Sequence, residues 1–243
     1  MFPIVGRLTG DTYRVADRYY RLPPHGFARA ELFELVEATP SSVLLRLETN
    51  RETKQMYPFE FTLDIGFCLE KSTLTMSALV RNEGLEKMPA CFGFHPAFRW
   101  PLPYADSVSS SHAIQFETGE TSPVRRLNRN GLIMRQMQFT PIDRDVLVLR
   151  DELFTEDALV FDKIKSRRLW YGPQCGPKLQ IDFPDMPCLS IWTKPKAGFI
   201  CIEPSYGYAD EQGISSEFYE KPGAFVLEPR AEKCFIMAVS TPY

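Results

Sequence analysis

The sequence predicts an all-β fold, an antiparallel sandwich, on three observations. Short apolar or alternating runs, separated by turn residues, recur about every ten positions. No stretch sustains a helical period. Proline supplies 20 of the 243 residues and aromatics 13%, a mix that breaks helix interiors and suits strands.

Residues 11–22 read as two short strands around Ala16 and Asp17. Residues 42–49 set Val43, Leu45 and Leu47 against Leu44, Arg46 and Glu48, a half-buried strand. Residues 59–69 carry the clearest pattern. Phe59, Phe61, Leu63, Ile65 and Phe67 share one face, and Glu60, Thr62 and Asp64 the other. After a turn at Glu70, Lys71 and Ser72, residues 73–81 follow as the hairpin partner. Asn82, Glu83 and Gly84 signal another turn, and 90–94 another strand. The middle is looser. Residues 107–111 read as a polar loop, and 123–135 as a basic stretch with Arg125, Arg126, Arg129 and Arg135. Residues 146–149 read as a strand, 153–159 as a single helical turn, and Val160 and Phe161 as a strand entry. Strands at 179–183, 188–193, 198–203 and 232–240 complete the set. With no repeat and no linker, residues 1–243 are expected to form one domain.

Composition narrows the function classes. Hydrophobic residues at 44% and charged residues at 24% are those of a globular chain. A net charge of −3 gives no electrostatic case for nucleic acid or an anionic membrane surface. No apolar run approaches the ~20 residues needed to cross a bilayer. The most apolar late stretch, 188–208, is interrupted by Lys194, Lys196 and Glu203. Residues 1–7 lack the basic and apolar regions of a signal peptide. The cysteines at 68, 91, 175, 188, 201 and 234 form no C-x-x-C pair and read as reduced thiols of a cytoplasmic protein. Residues 2–8 already look like the interior of a fold, so an N-terminal strand or two is expected to be missing.

Several chemistries lose their motif support. The sequence has no G-x-G-x-x-G, no G-x-x-x-x-G-K-[ST] and no G-x-S-x-G; residues 172–178 lack P-loop spacing. No H-E-x-x-H or paired-cysteine spacing points to a metal. The three histidines carry more information. His112 follows a serine run and reads as a solvated loop residue. His95 ends an apolar strand, flanked by Phe94 and Pro96, and is either a satisfied core histidine or a site group. His25 sits in a stiff turn between Pro24 and Gly26, bonded to backbone or facing a ligand. Glu203 follows Ile200, Cys201 and Ile202. It either faces solvent at a strand end or is a partly buried carboxylate of tuned basicity. Asp162, after Val160 and Phe161, has the same profile. Arg7 and Arg29 are candidate partners for anionic or hydroxyl groups, surface solvation being the alternative.

Taken in order, FPIVGR (2–7), HGFAR (25–29), GFHPAF (93–98), ALVFD (158–162) and CIEP (201–204) resemble the aldose 1-epimerase family over essentially the whole chain. Within that family the motifs most resemble the LacX-like branch, beside the glucose-6-phosphate 1-epimerases. The resemblance implies a galactose mutarotase-like supersandwich and a mechanism without metal or cofactor. It implies His95 and Glu203 as the catalytic pair, Asp162 as a substrate-holding aspartate, and His25, Arg29 and Arg7 as further substrate contacts. The implied partner is a small sugar or sugar phosphate, with no nucleic acid or membrane, and the chain is expected as a monomer or homodimer. The family has some tens of residues ahead of the FPIVGR segment, and its phosphosugar branch often has a polar residue where Pro24 stands.

Interconverting anomers requires a base at the C1 hydroxyl and an acid at the ring oxygen, which a carboxylate and a histidine supply. On the family pattern Glu203 is the base and His95 the acid. Trp100, Trp192, Tyr206 and Phe98 are candidate platforms for an apolar sugar face, core packing being the alternative. Two other readings fit the same residues. One is a non-catalytic carbohydrate-binding or sugar-sensing sandwich. The other is a hexose-6-phosphate epimerase, motivated by Arg7, Arg29 and the basic 123–135 stretch.

Overall fold

A computed structural model of the chain describes residues 1–104, 111–214 and 217–242. Of the polar loop expected at 107–111, only Ser111 falls among the described residues. The architecture is β, as the sequence predicts, with two large antiparallel sheets. The larger has nine strands in the spatial order Val146–Val148, His112–Phe116, Arg168–Pro173, Leu179–Asp182, Glu232–Ser240, Thr73–Asn82, Phe61–Glu70, Ser42–Glu48 and Glu34–Ala38. The smaller runs Leu159–Phe161, Cys188–Trp192, Phe199–Tyr206, and then both Phe92–Gly93 and Ala97–Arg99. Two-stranded ribbons, Thr12–Val15 with Arg18–Arg21 and Met88–Ala90 with Phe225–Leu227, flank them.

The sheets pack through aromatic pairs that span them. Phe92 of the smaller sheet stacks on Phe235 of the larger at 5.0 Å between centroids. Phe98 meets Tyr171 at 6.0 Å, and Phe161 meets Phe116 at 6.4 Å. Burying each such ring stabilises the fold by about 1.5–3 kcal/mol. In the strand Phe199–Tyr206, Ile200 and Ile202 are fully buried in this core. Alternation therefore turns Cys201, Glu203 and Ser205 to the opposite face. A second, smaller apolar cluster of Ile133, Ala158, Val160 and Ala209 covers that far face. The candidate site lies there.

Thr62 and Asp64, on the face opposite Phe61 and Leu63 as the alternation predicts, are buried too, and Arg46 from the neighbouring strand grips Asp64 with two hydrogen bonds of 2.6 and 2.7 Å. Two local expectations are corrected. His112 is no solvated loop residue. It opens a strand opposite Pro173, is 1% exposed, and accepts the Leu102 amide at Nε2 over 3.0 Å. The helical turn expected at 153–159 is a 3-10 turn at Asp151–Phe154, and Leu159 already belongs to a strand. No helix among the described residues is long and apolar enough to cross a membrane.

Candidate active site

Strand register builds the centre of the site. In the smaller sheet Val160 pairs with Ser190 and Ser190 with Glu203, so these three residues form a row on the far face. Gly93 pairs with Ser205 and Ala97 with Cys201, which puts His95 opposite Glu203 across the break between the two short strands. The Phe94 amide still donates to the Pro204 carbonyl at 3.1 Å, but neither Pro204 nor Pro96 has an N–H to continue the ladder, so pairing is interrupted where the imidazole faces the carboxylate. His95 Nε2 lies 3.1 Å from Glu203 Oε1. The imidazole is 37% exposed and the carboxylate side chain 7%.

A cleft of about 310 Å³ opens above this pair, at the small end of the range for small-molecule sites. Its walls come from the 5–7 segment, the His25 turn, the 127–133 loop, and the chain around Asp157 and Tyr208. A larger groove of about 810 Å³, lined by Leu69, Leu74, Phe98 and Leu179, has Lys71 as its one titratable group among the described lining residues. It therefore lacks a paired acid and base.

The His25 turn is fixed by its glycine. Gly26 has φ of +72°, and a Cβ there would stand 2.1 Å from the Phe2 carbonyl oxygen, so only glycine fits. His25 itself has φ of +65°. The Gly6 amide donates to its Nδ1 over 3.3 Å, and Met1 Sδ lies against the same nitrogen at 2.8 Å. The accepted bond leaves the ring proton on Nε2. The two histidine rings are 5.5 Å apart. Arg7 lines the cleft while its Nε and one Nη grip Asp11 at 2.7 and 3.1 Å. Arg29 is exposed and outside the lining, near enough for its charge to disfavour protonation of both histidines.

Burial sets the protonation of the group. It pushes the Glu203 carboxyl up to about 8. It pushes His95 below the ordinary imidazole value and His25 down to about 4. At neutral pH the His95–Glu203 pair thus holds one proton between two hydrogen-bonded seats, and His25 is neutral.

Not every anticipated residue reaches the cleft. Asp162 lies under Arg125, which bonds its carboxylate at 3.2 Å and Glu211 at 2.9 Å. Asp157, five residues earlier, lines the cleft instead, with φ of +67° and its carboxylate accepting the Ala158 amide at 2.7 Å. Sequence reading missed it because an aspartate after Glu156 looks like an ordinary turn residue. Of the expected aromatic platforms only Trp192 lines the cleft, joined by the unanticipated Tyr208. Trp100 packs on Phe154, Phe98 on Tyr171, and Tyr206 on Phe225 and Phe235. Arg125 and Arg126 of the basic stretch are buried, Arg126 donating to the carbonyls of Leu153 and Asp157.

The chain is similar to known proteins over most of its length. The family model for aldose 1-epimerase matches residues 1–226. The chain is 31% identical to protein LacX (chromosomal) of Lactococcus lactis subsp. lactis, over 91% of this chain and 77% of that one. Among solved structures, a galactose mutarotase related enzyme from Lactobacillus acidophilus superposes with a TM-score of 0.88 at 27% identity, covering 100% of this chain and 82% of that one. A galactose mutarotase-like protein from Lactobacillus casei gives 0.85 at 28% identity, covering 98% and 82%.

Proposed function

The chain belongs to the aldose 1-epimerase family, and from that premise we propose that it interconverts the α and β anomers of an aldohexose or hexose phosphate. The observation that carries this reading is the 3.1 Å contact between His95 Nε2 and Glu203 Oε1 at the floor of the cleft. The C1 hydroxyl and the ring oxygen of a sugar sit on the same carbon. A base for one and an acid for the other must therefore be immediate neighbours, as these two are.

The chemistry follows from one proton with two seats. With the proton on His95, the Glu203 carboxylate removes the C1 hydroxyl proton while the imidazolium protonates the ring oxygen. The C1–O5 bond breaks and an open-chain aldehyde results. Rotation about C1–C2 exposes the other carbonyl face. Glu203 returns its proton to the carbonyl oxygen, His95 takes back the hydroxyl proton, and the ring closes inverted. The pair ends with the single proton it began with. His25 Nε2–H, Arg7 and Asp157 hold sugar oxygens around this centre, and Trp192 and Tyr208 bound its apolar surface.

The test is anomer exchange followed by NMR magnetisation transfer on glucose, galactose and glucose 6-phosphate. Exchange above the spontaneous rate supports the reading and ranks the sugars. Sugars that bind without faster exchange would overturn it in favour of a non-catalytic sugar-binding sandwich.

The free-enzyme pH profile is a second expectation. Since kcat/KM reports free-enzyme ionisations, it should fall above about pH 8, where the pair loses its proton. It should also fall on the acid side, below the ordinary histidine value, where a second proton removes the base. A rate rising steadily through pH 9 would contradict the one-proton pair.

The two aspartates separate by kinetics. Asp157→Asn removes a charged partner from the cleft and should raise KM roughly ten- to a hundredfold, the worth of a charge-assisted hydrogen bond. Asp162→Asn should leave KM near wild type, because its carboxylate serves Arg125. Steady-state exchange rates of both variants decide it, and equal KM values would remove Asp157 from the site.

A further inference from the structure

The strand that carries Glu203 sets another donor beside the acid–base pair. Cys201 lies two residues earlier on the same face and is 4% exposed. Its Sγ, a Glu203 carboxylate oxygen and a His95 ring nitrogen all lie within 4.8 Å of one another. One thiolate, one imidazole and one carboxylate are the donors that Zn²⁺ takes. Ligand atoms bound at about 2.0–2.3 Å around a tetrahedral ion stand roughly 3.3–3.6 Å apart. The His95–Glu203 contact of 3.1 Å is already close to that spacing. The sulfur, within 4.8 Å of both partners, has at most about 1.3 Å left to close, a movement within reach of side-chain torsions. Three protein ligands leave a fourth position of a tetrahedral ion for a water or a sugar hydroxyl.

We propose that His95, Cys201 and Glu203 form a binding site for a zinc-class divalent cation. The ion takes a lone pair from nitrogen, oxygen and sulfur, and the thiol proton and the proton of the acid–base pair leave to water. A consequence follows for the reaction. An imidazole and a carboxylate held by a metal no longer move protons, so zinc should stop anomer exchange. That consequence rests on the acid–base reading above; the site itself does not.

Cobalt(II) reports on the site without any activity. Titrated anaerobically into the metal-free protein, it should raise a near-ultraviolet thiolate-to-cobalt charge-transfer band that saturates at one ion per chain. Zinc should displace the cobalt and abolish the band. Cys68, Cys175 and Cys234 are exposed, so the control is Cys201→Ser. Loss of the band in that variant supports the site, and persistence of the band overturns it. Should Cys201→Ser fail to fold, zinc X-ray absorption on the wild-type protein reads the same ligands. A shell of one sulfur with nitrogen and oxygen supports the proposal, and a shell without sulfur, or with several, overturns it. In exchange assays, the zinc concentration for half-inhibition should rise at least about tenfold in Cys201→Ser, the low end of what losing even a supporting contact costs a metal site. The zinc-free rate should stay close to wild type. A cobalt band with no zinc inhibition would sink the acid–base reading and leave the site standing.

Discussion

Replacing Glu203 with glutamine is expected to cut catalysed anomer exchange by roughly 10²–10⁴-fold, the usual worth of a positioned general base. This corresponds to about 3–5 kcal/mol of transition-state stabilisation. Glutamine keeps the shape and a hydrogen-bonding end, so KM should change little; only the ability to take a proton is lost. Stability is not expected to fall, because burial already disfavours the charged form of this carboxyl. The variant also removes one of the two seats for the shared proton. The alkaline limb near pH 8 should therefore vanish from whatever activity survives. The measurement is magnetisation transfer with the spontaneous rate subtracted, beside thermal unfolding of both proteins. Wild-type turnover in a folded variant would remove Glu203 from the base role. Lost turnover together with lost fold would be answered by Glu203→Asp, which keeps the carboxylate on a shorter arm and should recover part of the rate.

What the sequence made legible depends on whether the signal was local. The hairpin Phe61–Glu70 with Thr73–Asn82 was readable because apolar alternation meets a clear turn. The edge strand Glu34–Ala38 was not, because all five of its residues are exposed and no burial pattern exists to read. The helix Arg51–Met56 was missed although its start is marked. Asn50 accepts the amides of Glu52 and Thr53, while Thr53 reaches back to the Asn50 amide. Six residues are too few to show a helical period. The burial of Asp64 has a non-local cause: Arg46, from another strand, closes over it. The site divides the same way. His95 and Glu203 stood out as polar groups in apolar strands. Their pairing is a fact of register between segments more than a hundred residues apart, which no local pattern contains. Asp157 and Asp162 bracket one strand, and only the fold shows that the first lines the cleft while Arg125 covers the second.

The largest expected stability effect lies in a buried ion pair beside the cleft. Lys221 Nζ meets Asp210 Oδ1 at 2.5 Å, with both side chains under 5% exposed. Asp210 is also a junction. Its amide donates to the Arg7 carbonyl at 2.8 Å, its carbonyl accepts the Ile133 amide at 2.8 Å, and its Oδ2 accepts the Thr9 amide at 2.9 Å. One residue thus stitches together three of the segments that wall the cleft. Lys221→Met leaves the Asp210 carboxylate buried with a single neutral donor. Breaking one side of such a pair typically costs about 3–5 kcal/mol. That is a large part of the ~5–15 kcal/mol that holds most domains folded. The pair as a whole is worth far less than this, because two charges were desolvated to make it. Asp210→Asn combined with Lys221→Met removes both charges, keeps the Thr9 bond, and should regain most of the loss. Urea unfolding of the single and double variants measures both quantities. A loss under about 1 kcal/mol for Lys221→Met, or no recovery in the double variant, would contradict this account. The same clasp links stability to chemistry. Arg7 and Ala209 line the cleft on either side of this junction. A variant still folded but loosened here should therefore lose substrate affinity before it loses the His95–Glu203 pair, which is held by the register of the smaller sheet.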